Sequence, residues 1–341
     1  MTERFAAARR VLMQGIETGA MPGATVCVYA DGACVWDEAL GTTDGQTPVQ
    51  PATRYDLASL TKPLATGATL LTLVEDGTLA LMEPADDAAF PGITLHHLLT
   101  HTSGLPSWTP CYERGEGKPA ALAAIHDAAR GEPGGAYAYS CLGFIVLADR
   151  IERALGQRLD RAAQERVFAP LGLDTLTFAP GTQNVAPTVS AEGPGKDAVL
   201  LGAVHDGNAR AIGRIDGAVA GNAGLFGTAR DVARFGEALR RGTFLSAPTR
   251  ARVFANQSTP AGHTFLFFGA PNPLTPTGDL LSDRAVGHSG FTGTVLTIDP
   301  VFGLTVALLT NAVFGDGKGN FLRLRRRFLN TVAAIAGGAG A

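Results

Sequence analysis

Two hydrophobic rhythms divide the chain. Residues 24–30 (ATVCVYA) and 33–40 (ACVWDEAL) are β-branched and apolar runs on either side of Asp31-Gly32. That dipeptide is a strong hairpin signal, because a two-residue turn of the right twist needs positive φ at its centre. Far along the chain, residues 294–299 (TVLTID) and 304–311 (LTVALLTN) flank Pro-Val-Phe-Gly and predict a second hairpin, with a helical C-terminus after it. Between the hairpins the helical period takes over: residues 94–101 (TLHHLLTH), 142–155 (LGFIVLADRIERAL, closed by Gly156) and 159–167, ending before Pro170. Thr228 followed by Asp231 gives a capping-box pattern ahead of VARFGEAL, marking a return to helix packed on sheet. Thr2 is placed to cap a first helix whose Phe5, Leu12 and Ile16 share a face.

These elements predict an α/β fold: an antiparallel sheet built from both chain ends and flanked by helices, with an inserted, mostly helical lobe. Residues 1–80 form the first part of the α/β domain, 81–214 the helical and loop-rich lobe, and 215–341 the second part. Glycine and proline are frequent from 181 to 227, which predicts long loops over a cleft.

Composition narrows the function. The 341 residues are 45% hydrophobic and 17% charged, enough for a substantial core. A net charge of -3 without a dense basic patch gives no electrostatic case for nucleic acid or an anionic membrane. The one basic run, residues 323–328 (RLRRRF), is interleaved with Phe321, Leu322, Leu324, Phe328 and Leu329 and reads as the solvated face of the closing helix. No apolar run approaches the ~18 residues of a membrane span, and the start lacks the apolar core of a secretory signal. The expected location is the cytoplasm. Cys27, Cys34, Cys111 and Cys141 have no metal-ligand spacing and read as small buried thiols.

Against this background Ser59 and Lys62 stand out. Only 4 of the 28 cationic residues are lysine, yet one lies three places after a serine in DLASLTKPLAT. Arginine cannot replace a lysine that must lose its proton to act as a base. On a helix starting near Ser59, Lys62 lies one turn on, facing the same way. Pro63 belongs to a first turn, which sets the serine at the positive end of the helix dipole. Burial and that positive end predict a lowered lysine pKa and a neutral amine. His96, His97 and His101 suggest zinc by their spacing, but no glutamate follows His97 and no third ligand is placed, so no metal is expected. GHSGF is not a nucleophile elbow, because Phe291 stands where glycine is required.

LASLTKPLAT, LLTHTSGLP, YSCLGFIVLADRIERALG, FAPLGLDTLTF, VHDGNAR, GNAGLFGTARDVARF and GHSGFTGTVLTIDP occur in the order found in serine hydrolases that resemble class C β-lactamases and penicillin-binding proteins, a family that includes esterases and D-aminopeptidases. The resemblance covers roughly residues 8 to 315. It implies Ser59 as nucleophile, Lys62 as its partner base and Tyr139 as the tyrosine of the second motif, sharing protons with Lys62. It implies an oxyanion hole from the N–H groups of Ser59 and Phe291, and substrate contacts from Cys141, His288, Ser289 and Gly290, with Gly290 and Gly293 letting substrate lie against the strand. No cofactor is implied; the partner is a small acyl substrate.

Two departures bear on substrate. Cys141 stands where the second motif carries Asn, and His288 where the third carries Lys. The first weakens a polar contact and the second removes a permanent cation. Both favour an esterase or amidase acting on small acyl substrates without an essential carboxylate. The alternatives are a β-lactamase or D-amino-acid peptidase, and a non-catalytic binding module of the same fold.

Overall fold

The computed structural model describes residues 4–337 apart from 87, 259–260, 270–271, 273–274 and 316–317; Thr2 lies outside the described residues. Six antiparallel strands form the main sheet in the order Ala33–Gly41, Gly23–Ala30, Leu304–Thr310, Val295–Asp299, Val286–Ser289, Phe268–Gly269. The two ends of the chain therefore meet at its centre, where Cys27 faces Ala307. The first hairpin turns at Asp31 (φ 49°) and Gly32 (φ 92°), as the dipeptide predicts. A register shift between Val28 and Tyr29 breaks its ladder.

Because alternate side chains leave a strand on opposite faces, the sheet feeds two cores. Val26, Val28, Val306 and Leu308 pack with Phe5 and with Leu12, Phe328 and Val332 of the terminal helices Ala6–Glu17 and Lys318–Gly337. Trp36 stacks on Phe5 with centroids 5.1 Å apart. On the other face, Cys27, Leu296, Ile298, Ala307 and Leu309 join Phe235 and Leu239 of helix Ala229–Arg241, and that core continues through Leu60 and Leu64 into Ile145 and Leu147 of helix Leu142–Leu155. The site thus lies where sheet, helices and long loops converge on one apolar mass.

The caps predicted at Gly156 and Thr228 hold with one change. Gly156 ends its helix at φ 63°. Thr228 accepts from Asp231 N (3.4 Å), but the Asp231 carboxylate does not return to complete a capping box; it accepts from the N–H and hydroxyl of Thr175, both at 2.8 Å.

Candidate active site

The segment carrying Ser59 is built against its local preference. Ala58 has φ +51°, an uncommon value for a residue with a Cβ, at the start of a tight turn over Ala58–Leu60. Its neighbours hold it there. Asp56 Oδ1 accepts from Ala58 N at 2.9 Å, and the Ala58 carbonyl accepts from Thr61 Oγ1 at 2.7 Å. A wide π-type turn, Lys62–Gly67, follows and then regular helix Ala68–Glu75. Pro63 has no N–H to continue the ladder, so the irregular first turn sits where little is lost.

Lys62 is 1% exposed. Its Nζ donates to Ser59 Oγ (3.1 Å), Asn222 O (2.9 Å) and Cys141 Sγ (3.4 Å). Three acceptors match the three hydrogens of an ammonium, and the Asn222 carbonyl can only accept. Burial pulls the Lys62 pKa down, but Cys141 and Tyr139, a hydrogen bond with Tyr139, and Asp206 pull it up, and the net direction is upward. The expected lowering of the lysine pKa is therefore corrected to a net rise, because acceptors and negative partners surround the amine. Asn222, to which the sequence assigned no role, belongs to GNAGLFG, a stretch bound along the same helix by Thr66 Oγ1 to Gly221 O (2.7 Å) and by Leu225 N to Thr61 Oγ1 (3.1 Å).

Tyr139 reaches this group from a distant segment held by the LLTHTSGLP loop. Ala138 N donates to His101 O (2.9 Å), Ser140 N to His101 Nδ1 (3.0 Å), Ser140 Oγ to Pro106 O (2.7 Å) and Cys141 N to Ser107 O (3.0 Å). Lys62 Nζ stands 5.2 Å from the Tyr139 ring centroid. Burial raises the phenol pKa, while the charge of Lys62 and hydrogen bonding with Ser59 and Lys62 oppose the rise without cancelling it. Tyr137 points elsewhere, onto His101 and His263.

The histidines divide by surroundings. His97 completes a capping box with Thr94, and His101, at φ +58°, lies beyond the helix end at Leu99, so the two do not share a helical face. His288 is a correction: it is 1% exposed, packed under Phe268 (4.9 Å) and Tyr139 (6.0 Å), and does not line the cavity. Burial holds its pKa well below 6.5, so it is a neutral support for Tyr139. Gly290 lines the cavity, but its smallness serves the protein, since an added Cβ would overlap Thr294 Oγ1 and the Leu57 carbonyl. Gly293, at φ +105°, is likewise crowded by Thr310 and Ala312.

The cavity has a volume of about 390 Å³ and is lined largely by apolar groups, among them Trp108, Phe268, Phe291, Phe321 and Leu322, together with Ser59, Tyr139, Cys141, Ser289, Glu192, His205 and Asp206. Arg325 of the RLRRRF run also lines it, half-buried, where burial lowers its pKa to about 10; that run is not wholly a solvated face. His205 Nδ1 lies 2.8 Å from Asp56 Oδ2, and its ring stacks on Phe291 at 5.4 Å. Outside the cavity, the hairpin brings Cys27, Cys34 and Asp37 together, with the two sulfurs 3.9 Å apart. Cys34 is exposed rather than buried, and Asp37 is already held by Arg230 at 2.5 Å.

Comparison with known proteins agrees with this architecture. The esterase EstB of Burkholderia gladioli is 31% identical over 381 residues, covering 91% of this chain and 91% of its own. An N-acetylmuramyl-L-alanine amidase of Bacillus subtilis is 29% identical, covering 91% of this chain and 81% of the relative. The solved structure of EstCE1, a hydrolase with promiscuous acyltransferase activity, superposes with a TM-score of 0.77 at 23% identity over 97% of this chain and 99% of that one. The family model described as Beta-lactamase matches residues 8–330, and the chain belongs to that family of serine hydrolases.

Proposed function

We propose that this hydrolase cleaves esters or amides of small acyl substrates, with preference for esters, through an acyl-enzyme on Ser59. The observation that carries the reading is the Ser59 hydroxyl held 3.1 Å from Lys62 Nζ inside a cavity that Tyr139 also lines. Lys62 and Tyr139 titrate as a unit, and the active form has lost one proton from the pair. That form takes the proton of Ser59 as Oγ attacks the carbonyl carbon; the backbone N–H groups of Ser59 and Phe291 receive the oxyanion, and Tyr139 returns a proton to the leaving group. Since both members of the pair hold protons more tightly than usual, acylation is expected to rise with pH into the alkaline range.

The aromatic lining suits an apolar acyl or alcohol portion. Neutral, buried His288 supplies no cation for a substrate carboxylate, and Cys141 offers a weaker polar contact than the amide usual at its place, which supports an esterase over a β-lactamase. Free thiols among the described residues suit action in the cytoplasm. Among those residues no helix is long and apolar enough to cross a membrane.

Intact-mass spectrometry after treatment with a fluorophosphonate tests this: one adduct is expected on the wild type and none on Ser59→Ala. An unmodified wild type overturns the assignment of Ser59. Nitrocefin turnover equal to that of p-nitrophenyl esters overturns the esterase preference.

A further inference from the structure

Once Ser59 is acylated, a water molecule must be deprotonated to release the acid. The Lys62 side of the cavity is poorly suited to that when the leaving group departs as an anion, because the proton taken from Ser59 then stays on the Lys62–Tyr139 pair. Lys62 already spends its hydrogens on three acceptors, and Tyr139 holds its own proton tightly. Another group with a lone pair facing the cavity is needed.

His205 provides one. Its Nδ1–H is fixed by Asp56 Oδ2 at 2.8 Å, and the same carboxylate oxygen accepts from His205 N at 2.7 Å, so ring and backbone are clamped together. Asp56 is 2% exposed. With Nδ1 as donor, the free lone pair of the neutral ring lies on Nε2. No hydrogen bond to Nε2 is found among the described residues, and His205 lines the cavity that contains Ser59. Phe291 stacks on the ring nearly parallel, at 9°. The other oxygen of Asp56 holds Ala58 N, beside the nucleophile, and its carbonyl accepts from Thr292 Oγ1 (2.7 Å), beside Phe291. Asp56 therefore orients the imidazole through one carboxylate oxygen and secures the segments leading to Ser59 and Phe291 through the other oxygen and its backbone carbonyl.

Resting on the acyl-enzyme reading above, we propose that the His205–Asp56 pair is the general base for the deacylating water. Water oxygen bonds to the acyl carbon while His205 Nε2 takes one of its protons. The tetrahedral oxyanion then collapses, the C–Oγ bond to Ser59 breaks, and Lys62 gives Oγ a proton. The imidazolium loses its proton to solvent, and the Lys62–Tyr139 pair, having returned the Ser59 proton, is again in its active form, so the acid, free Ser59 and the starting protonation remain.

Burial lowers the His205 pKa, but Asp56, with Asp206 and Glu192 beyond it, raises it to a net value above the ordinary 6.5. Arg210, which donates to the Val204 and His205 carbonyls and to Ser190, is the cation nearest in sequence on that wall. Deacylation is thus expected to rise with pH through one ionisation above 6.5.

The test compares wild type and His205→Gln with p-nitrophenyl acetate in rapid-mixing and mass experiments. In the variant the burst of nitrophenolate is expected to stay stoichiometric, while steady turnover falls about 10²-fold or more, acetyl-enzyme accumulates, and hydroxylamine, which needs no base, restores turnover. Independently, the wild-type deacylation rate should show the single ionisation that the variant lacks. Unchanged steady turnover in a variant still labelled by fluorophosphonate, equal loss of burst and turnover, or a flat wild-type deacylation profile between about pH 5 and 9 would each overturn the role of His205. Those outcomes leave Ser59 assigned, whereas a wild type that forms no adduct removes the acyl-enzyme itself.

Discussion

The two sides of the cavity use the same residue type in opposite ways. Behind Tyr139 lie His101, His263 and His288, all buried, and burial presses each below its ordinary pKa, His263 to about 4. Along the loop wall, His205 is also largely buried, yet the adjoining Asp56 raises its pKa. The difference is a carboxylate at 2.8 Å. Without one, a buried imidazole becomes a neutral aromatic wedge; with one, it becomes a proton-handling group. The trio supports Tyr139 by shape, while His205 is available for chemistry.

The largest expected effect removes the cation that organises the first side. Lys62→Met should cut kcat/KM for p-nitrophenyl acetate about 10²–10⁴-fold and suppress the burst itself. A variant with a full burst would show that the lysine is dispensable for acylation.

Asp56→Asn would make the loop wall resemble the trio. It weakens a buried hydrogen-bonded pair and loosens Ala58, so destabilisation of about 1–3 kcal/mol is expected by urea unfolding. The His205 ionisation, followed by NMR of the ring protons, should fall towards or below 6.5. A His205 pKa unchanged by this substitution would break the comparison.

The two sets also predict opposite limbs in the pH dependence of stability. For the trio the folded pKa is depressed, so the unfolded chain takes up protons that the fold refuses; their contribution is present above pH 6.5 and is lost as pH falls towards the folded values. Unfolding near pH 5 should take up on the order of three protons from these residues. For His205 the folded pKa is raised, so its contribution is complete below 6.5 and is lost as pH rises through the folded value. Urea unfolding from pH 5 to 9, repeated with His205→Gln, should lose only the upper limb.

The smallest effect concerns Cys141. Its sulfur is a weak acceptor for Lys62 and would be a weak donor to a substrate. Cys141→Asn should raise amide turnover relative to ester turnover several-fold, in line with about 1 kcal/mol for one better hydrogen bond. An unchanged ratio would assign the substrate preference to cavity shape instead.

Much of the site was legible because its signals are local. Ser59 and Lys62 are one helical turn apart, so spacing alone predicts their meeting. The hairpin at Asp31-Gly32 follows from φ preferences of two residues. Tyr139 required resemblance, since 80 residues separate it from Ser59. His288 shows the limit: its motif place suggested substrate contact, whereas burial beneath Phe268 is a property of packing. Asn222 meets Lys62 through its carbonyl, which every residue type has, while its side chain donates to Asp206 Oδ2 (3.2 Å), a partner 16 residues away that no local spacing revealed.

By itself the sequence determined the element types, the order of the motifs and the pairing of alcohol with amine, because these depend on periodicity and near neighbours. Tertiary structure decided the direction of the Lys62 pKa shift, the division between histidines with lowered and raised pKa, and which loop residues reach the cavity. Those properties depend on desolvation and on charges a few ångströms away in space, contributed by residues as distant in the chain as Asp56 and His205.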